Sequence, residues 1–597
     1  MRDGTELATD VYLPAGPGPH PTLLERTPYG KSASNRADRT AADATPRSRP
    51  DVARQFAAAG YAYVLQDCRG RFESGGTFTK YLNEGPDGED ALAWVLAQPW
   101  CNGRVGTLGL SYGAHVQAAL ACGNPPGLGA MFLDSGGFSS AYHGGIRQGG
   151  AFELKQLTWS YKHALLSPAT ARDPARRRAL EAQDLRSWMG RRWAPGHSPL
   201  AAAPEYEGYV LEQWGNDSFS TYWQQRGIYA QGWYEHFANV PQVHMSSWYD
   251  PYSQTAIDNY CGLARRITSP VRLILGPWTH GQRSVTHAGA VDFGPAATLD
   301  GNLAEDYFAL RRAWFDQHLR AAPGPGPLPD PVMIFVMGGG SGRRNASGRL
   351  EHGGRWRAEA DWPLPRTRTE LAYLQADGGL AAAPPADPET RTITADPHHP
   401  VPTVGGAITS AEPIMFGGAY DQREGEAMLA STHPGRALAD HPGVAVFRGP
   451  VLDEDTELTG NVVARLHISI DTPDADIAIK LIDEYPPSAD YPEGFAMNLA
   501  HGILRLRFRD GFEQPCRAKP GQVYEVTVAC FPTSNLFRAG HRIRIDLAGS
   551  NFPHFDVNPN TDWAKADQPP QVARITVHCG PEYPSRLELP VIPPQRG

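Results

Sequence analysis

The chain is poor in cysteine, and this scarcity excludes a disulfide scaffold. Only seven of its 597 residues are cysteine, they are dispersed, and they include no C-x-x-C pair. We therefore interpret them as free thiols of a reducing compartment rather than as disulfide partners or zinc ligands. The seven are Cys68, Cys101, Cys122, Cys261, Cys516, Cys530 and Cys579.

The sequence also lacks the features of nucleic-acid-binding and membrane proteins. The 55 basic and 64 acidic residues give a net charge of −9 without a block of one sign, whereas a polyanion needs a concentrated basic surface. No stretch approaches the roughly 18 apolar residues of a membrane span. The opening residues, MRDGTELATD, lack the apolar core of a signal peptide. We expect neither a nucleic-acid partner nor a membrane, and a cytoplasmic location.

Turn-forming residues are abundant, and they exclude an all-helical protein. The chain has 63 glycines and 54 prolines, with 41% hydrophobic residues available for burial. Such a composition is typical of many short strands joined by turns. A chain of this length exceeds what one hydrophobic core holds, so we expect several domains.

Three patterns follow one another along the chain. Residues 10–135 alternate short apolar runs with helix-like stretches, which indicates a parallel sheet covered on both faces. Residues 140–236 lose the strand signal and hold six of the 14 tryptophans, which favours a pocket lined with aromatic rings. Beyond about residue 365, short alternating runs between turns predict a β-sandwich.

We predict an α/β fold with an α/β-hydrolase core, an inserted helical lid domain and a C-terminal β-sandwich of the jelly-roll type. The predicted domains are the first part of the core (1–139), the helical lid insertion (140–236), the second part of the core (237–345) and the jelly roll (346–597).

The sharpest motif is the sequence Gly109-Leu110-Ser111-Tyr112-Gly113. It follows the apolar run VGTLGL and precedes the helix-like YGAHVQAALA. A serine between a strand and a helix in G-x-S-x-G is typical of a nucleophile elbow, whose strained turn requires small neighbours. We predict Ser111 as a nucleophile, with an ordinary turn serine as the alternative.

A serine nucleophile needs a histidine base and a carboxylate that orients it, in the chain order Ser, acid, His. Asp250 follows the apolar run ending in SSWY, and His280 follows LILGPWT. Both therefore stand where predicted strands end, which is where open α/β sheets place functional groups. The alternatives are Asp258 and Asp292 for the acid and His244 and His287 for the base.

With these residues the chain resembles the family of bacterial serine hydrolases that includes cocaine esterase, the α-amino acid ester hydrolases and the X-Pro dipeptidyl peptidases. The resemblance runs over nearly the whole length. It is carried by MRDGTELATDVYLP, RTPYGK, GYAYVLQDCRGRFESGG, GPDGEDALAWVLAQPWCNGRVGTLGLSYG, SSWYD, GPWTHG, PVMIFVMGG, DPHHPVPTVGG and FPTSNLFRAGHRIRIDLAGSNFPHFDVNPNTD.

The resemblance implies the same three domains and the same triad of Ser111, Asp250 and His280. It further implies an oxyanion hole formed by the Tyr29 hydroxyl and the Tyr112 backbone N–H, and two such donors suit a tetrahedral intermediate. From the residues themselves we expect no cofactor and no metal, because no cluster of metal ligands and no nucleotide-binding glycine motif is found. Relatives carry a further strand before MRDGT, so a natural start upstream of Met1, and with it another location, stays open.

One departure from the family bears on the substrate. Relatives that act on α-amino acid esters carry carboxylates directly after the catalytic acid, whereas Asp250 is followed by PYSQ. We therefore expect esters with a neutral acyl group to be preferred over those bearing an ammonium. Three lid acids could still supply such a carboxylate: Glu205, Glu207 and Glu212.

The sequence thus favours a serine hydrolase that cleaves a small-molecule carboxylic ester through an acyl-enzyme. Amide or peptide cleavage is the alternative, because the same machinery performs it. From another class, a non-catalytic binding protein on a hydrolase fold stays open. An oligomer is compatible with the sequence.

Overall fold

The computed structural model describes residues 1–322, 326–565 and 568–594. Its strands are β1 Thr9–Tyr12, β2 His20–Thr27, β3 Ala62–Asp67, β4 Cys101–Leu110, β5 Leu128–Asp134, β6 Arg147–Gln148, β7 Ala151–Phe152, β8 Gln242–Tyr249, β9 Val271–Thr279, β10 His287–Ala288, β11 Val291–Asp292, β12 Val332–Gly338, β13 Leu350–Glu351, β14 Gly354–Glu359, β15 Arg368–Leu374, β16 Leu380–Ala381, β17 Glu389–Ala395, β18 Val444–Arg448, β19 Thr456–Gly460, β20 Val463–Ile470, β21 Asp476–Tyr485, β22 Phe495–Arg505, β23 Tyr524–Ala529, β24 Thr533–Phe537, β25 Arg542–Ala548, β26 Ala573–Cys579 and β27 Arg586–Ile592. Its α-helices are α1 Arg49–Ala58, α2 Glu84–Leu96, α3 Tyr112–Ala121, α4 Lys155–Leu165, α5 Pro168–Arg172, α6 Pro174–Glu181, α7 Leu185–Trp188, α8 Pro204–Gly215, α9 Ser253–Leu263 and α10 Tyr307–Arg320.

The N-terminal half is built on a parallel sheet in the order β3-β2-β4-β5-β8-β9-β12. Strand β1 joins one edge and β14 the other, both antiparallel. Strands β3 and β8 are buried along their whole length, as expected where helices cover both faces of a sheet. Apolar side chains of α1 and α10 pack on one face, and those of α2, α3 and α9 pack on the other. The predicted α/β class is confirmed.

The segment between β5 and β8, residues 135–241, is called the inserted segment below. It carries α4 to α8, the hairpin β6-β7 and two 3₁₀-helices, Thr221–Gln224 and Ala230–His236, joined by turns and irregular segments. Five of the six tryptophans predicted to line a pocket pack in one aromatic cluster with Tyr112. This cluster joins the inserted segment to the sheet by apolar burial. The five are Trp159, Trp188, Trp193, Trp214 and Trp223.

The C-terminal part is rich in β-strands, as predicted. Strands β18, β25, β21 and β22 form one sheet, and β20 pairs with β23, β26 and β27 in another. Burial alternates residue by residue along β20, so one of its faces packs on the core. Strand β24 pairs in parallel with β12, and β12 pairs with β14 across the predicted boundary at residue 345. The two halves therefore share a continuous sheet.

Two further findings concern the state of the cysteines and the length and polarity of the helices. All seven cysteines have free thiols, and four of them are buried. Within the described ranges, no helix combines the length and the apolar character that crossing a membrane requires.

Candidate active site

Ser111 occupies a strained turn between β4 and α3. Its φ of 62° and ψ of −119° lie outside the regions that side-chain-bearing residues prefer. The turn is tight because a Cβ on Gly109 would lie 2.9 Å from the Cα of Gly113. The Ser111 amide donates to the Asp134 carbonyl at 2.8 Å, which fixes the turn to the neighbouring strand β5. The close approach of the two chain segments thus explains why the motif requires glycines. The Ser111 hydroxyl lies at the start of α3.

Asp250 and His280 meet at the ends of the adjacent parallel strands β8 and β9. The Nδ1 atom of His280 lies 2.9 Å from Oδ2 of Asp250, and both side chains are buried. The other carboxylate oxygen accepts the Tyr252 amide at 2.9 Å. Since an ionised carboxylate only accepts, His280 donates from Nδ1 and keeps the lone pair of Nε2 for another proton.

The environment of Asp250 keeps it ionised. Burial by itself raises the pKa of a carboxyl, but the charge of the His280 ring and the hydrogen bonds from His280 and the Tyr252 amide outweigh it. The pKa of Asp250 therefore lies below its ordinary value. His280 is next to Gly281, where an added Cβ would lie 3.1 Å from the Leu110 side chain. The loop of the histidine thus packs against the residue preceding Ser111.

Tyr29 lies in the loop after β2 and reaches the serine with its hydroxyl. The two oxygens are 3.3 Å apart. The Tyr29 amide donates to the Thr27 hydroxyl at 3.1 Å, and Arg71 donates to the preceding Pro28 carbonyl at 2.9 Å. Because β2 runs parallel to β4, the loops that follow the two strands open at the same edge of the sheet.

Tyr112 begins α3, where the first amides of a helix have no partner within the helix. Its side chain points away from the serine hydroxyl into a buried network, donating to Glu84 at 2.8 Å and accepting from the Tyr81 amide at 2.8 Å. Glu84 in turn forms a buried ion pair with Arg26 at 3.0 Å. This network, which the sequence reasoning missed, anchors the start of α3 and so the position of its amides.

The alternative acids and bases are not part of this arrangement. Asp258 lies on α9, His244 lies inside β8, and His287 faces Asp292 across the short strands β10 and β11. Among the described residues, no hydrogen bond joins any of the four to Ser111 or His280. In the same part of the chain, no group of three or more His, Cys, Asp or Glu side chains is placed to hold a metal ion.

Helix α4 of the inserted segment lies over these residues. At its start, the Lys155 ammonium lies 5.0 Å from the Tyr252 ring, which is 5.7 Å from the ring of His280. In its last turn, the His163 ring lies 5.4 Å from the ring of Tyr29. The helix therefore extends from the vicinity of Tyr252 to Tyr29.

The inward face of α4 was not recognised in the sequence. We call four of its eight buried residues the roof residues. Three of them recur every four residues in KQLTWSYKH and the fourth follows the first, and this recurrence at helical spacing is the signal that could have found them. They are Lys155, Gln156, Trp159 and His163.

Two of the three lid acids proposed as ammonium ligands already bind other side chains, and the third is exposed. Glu205 forms an ion pair with Arg176, and Glu207 accepts the Ser198 hydroxyl at 2.6 Å. Glu212 is exposed.

Comparison with known proteins gives matches along nearly the whole chain. Residues 3–282 match the model of the X-Pro dipeptidyl-peptidase (S15 family), and residues 328–588 match the C-terminal non-catalytic domain of X-Pro dipeptidyl-peptidase. Cocaine esterase from Rhodococcus sp. (strain MB1 Bresler) is 30% identical over 99% of this chain and 97% of its own length.

Two solved structures share the fold. An aminopeptidase from a Thaumarchaeota archaeon superposes with a TM-score of 0.76 at 23% identity, over 99% of this chain and 95% of its own. An α-amino acid ester hydrolase superposes with a TM-score of 0.73 at 24% identity, with the same coverage. The predicted resemblance is confirmed: the chain is a hydrolase that belongs to the cocaine esterase-like (CocE/NonD) family of serine hydrolases, with the two-part organisation of the X-Pro dipeptidyl peptidases.

Proposed function

We propose that this hydrolase cleaves carboxylic esters through an acyl-enzyme, with Ser111 as nucleophile, His280 as base and Asp250 as orienting acid. The observations that carry the proposal are the Asp250–His280 pair at the ends of the adjacent strands β8 and β9 and the Tyr29 hydroxyl beside Ser111 in its strained elbow. The 2.9 Å Asp250–His280 contact and the 3.3 Å Tyr29–Ser111 contact are its geometric support.

In the first half-reaction, His280 Nε2 takes the Ser111 proton as Oγ forms a bond to the ester carbonyl carbon. The resulting oxyanion accepts hydrogen bonds from the Tyr29 hydroxyl and the Tyr112 amide, whose position at a helix start favours negative charge. His280 then returns the proton to the departing alkoxide. In the second half-reaction, water follows the same route and releases the acid.

Ester cleavage is favoured over peptide cleavage by the charges around the serine. A peptidase that reads a free N-terminus must hold an ammonium, and an unpaired carboxylate is the group that does so. Beneath the roof residues, Glu153 is already paired with Lys155 at 2.6 Å. Asp250 is paired with His280. These contacts support an ester whose acyl group carries no ammonium.

We further assign the inserted segment as a lid over the acyl group and the C-terminal β-strands as a jelly roll. The position of α4 beside the rings of Tyr252 and Tyr29 supports the first assignment, and the paired sheets over a common core support the second. The domain limits at residues 139, 236 and 345 remain part of this proposal.

The test is labelling with a fluorophosphonate together with ester turnover. Wild type should be labelled and Ser111→Ala should be neither labelled nor active above a residual level, while its Tm stays close to wild type because both residues meet the same backbone strain. The control is Ser187→Ala, at an exposed serine on α7, which should behave as wild type. Labelling or full activity of Ser111→Ala would reject the assignment.

A further inference from the structure

Two of the roof residues contact a buried lysine that the mechanism does not use. Lys80 is only 2% exposed. Its ammonium lies 3.7 Å from the centroid of the Trp159 ring and 5.0 Å from that of Tyr81. It donates to the side-chain oxygen of Gln156 at 2.7 Å, and the Gln156 amide nitrogen is held by the Gly145 carbonyl at 2.8 Å, so the oxygen is fixed toward the lysine.

Lys80 lies between the two ends of the candidate site. Its neighbours Gln156 and Trp159 are the middle roof residues of α4. The first roof residue of the helix lies beside Tyr252, which packs near His280, and the last lies beside Tyr29. Below, the Tyr81 ring stacks on that of Tyr112 at 4.8 Å. The ammonium therefore lies between α4 and the Tyr81 ring, which packs on the residue that follows Ser111.

This lysine is poorly compensated for a buried cation. An ammonium has three donors, and within the described chain one hydrogen bond and no ion pair is found for Lys80. The buried Lys31 and Lys155, by contrast, each contact a carboxylate within 3 Å. A methionine or leucine would fill the same space without the desolvation cost. A cation retained there without an acid is explained by a negative group that arrives with the substrate.

We propose that Lys80 receives a carboxylate on the acyl chain of the substrate, so that the enzyme prefers half-esters of dicarboxylic acids over esters of plain fatty or aromatic acids. This inference rests on the proposed function and names its substrate class.

The electrostatics agree with an incoming anion. Burial and the nearby Lys155 hold the pKa of Lys80 well below its usual range. An anion against the amine favours its charged form and raises that pKa again. A substrate ammonium, in contrast, would be repelled by the charge of Lys80 and would have no free carboxylate to bind it.

The test compares two series of ethyl esters by pH-stat. One series is the monoethyl esters of the dicarboxylic acids from succinate to adipate, and the other is the ethyl esters of monocarboxylic acids of the same chain length. Wild type should show a kcat/KM ratio of at least tenfold in favour of a carboxylate-bearing ester, about 1.4 kcal/mol. In Lys80→Met that ratio should fall at least tenfold.

The matched control is Lys162→Met, at an exposed lysine on α4, which should keep the wild-type ratio. A wild-type ratio of one or less at every chain length, or an unchanged ratio in Lys80→Met, would overturn the inference. If Lys80→Met does not fold, inhibition of wild type decides: free dicarboxylates should inhibit at least tenfold more strongly than monocarboxylates, and equal inhibition overturns the inference. Hydrolysis of plain esters without this preference leaves the proposed function intact, whereas no labelling and no hydrolysis of either series rejects both.

Discussion

Replacing Asp250 with asparagine should inactivate the enzyme almost without changing its shape. One carboxylate oxygen accepts the Tyr252 amide at 2.9 Å and the other faces Nδ1 of His280 at 2.9 Å. Asparagine can keep the first contact with its oxygen, which turns its NH₂ group toward the histidine. A donor facing Nδ1 requires that atom to accept, so the proton moves to Nε2. His280 then has no lone pair for the serine proton.

The expected loss follows from this change of tautomer. In serine hydrolases of other folds, the same substitution lowers kcat by about 10⁴, or roughly 5.5 kcal/mol of transition-state stabilisation. We expect Asp250→Asn to lose 10³–10⁴ in kcat on a neutral aryl ester. Its fluorophosphonate labelling should slow in proportion, because labelling uses the same base. A kcat within tenfold of wild type would refute the proposed role of Asp250.

Stability supplies an independent check on the same variant. Because the pKa of Asp250 is lower in the folded chain, its ionisation stabilises the fold above the unfolded-state pKa, near 4, and that contribution is lost as pH falls through the folded value. Asp250→Asn should therefore have a lower Tm than wild type at pH 7, with the difference narrowing in acid. The control for the loss of kcat is Asp258→Asn, at the buried acid on α9. This variant should retain kcat within a few fold of wild type.

Three further predictions address the oxyanion hole, substrate charge and pH. Tyr29→Phe should lower kcat by about 10²–10³ with a much smaller change in KM, since the hydrogen bond strengthens only as charge develops; a preserved kcat would mean that backbone amides alone form the hole. A phenylacetyl ester should exceed the matched phenylglycyl ester in kcat/KM by about tenfold or more at a pH where the amine is charged, and the reverse order would reveal an ammonium-binding acid. Burial raises the pKa of Asp258 to about 6. Ionisation above that pH therefore destabilises the fold, and the Tm of Asp258→Asn minus that of wild type should be larger at pH 8 than at pH 4; a difference independent of pH would contradict the raised pKa.

Local sequence was sufficient for the elements that carry the proposed triad. The glycines of the elbow follow from the close approach of Gly109 to Gly113, a requirement that acts over four residues and is therefore visible in a motif. The placement of Asp250 and His280 followed from a general property of parallel sheets, whose strand ends meet at one edge. Both kinds of inference use contacts that are either local or imposed by the fold class.

The surroundings of the serine depended on tertiary structure. Lys80 and Gln156 are 76 residues apart, and the polar contact between them leaves no periodic trace in the sequence. The partners of the lid acids were equally unpredictable. No local sequence pattern indicates that Arg176 forms an ion pair with Glu205 or that Ser198 donates a hydrogen bond to Glu207. The sequence alone determined the family, the α/β class and the expected order of nucleophile, acid and base. Only the packing of the inserted segment onto the sheet decided which charges face the substrate, because those charges are brought together by burial of aromatic surface rather than by position along the chain.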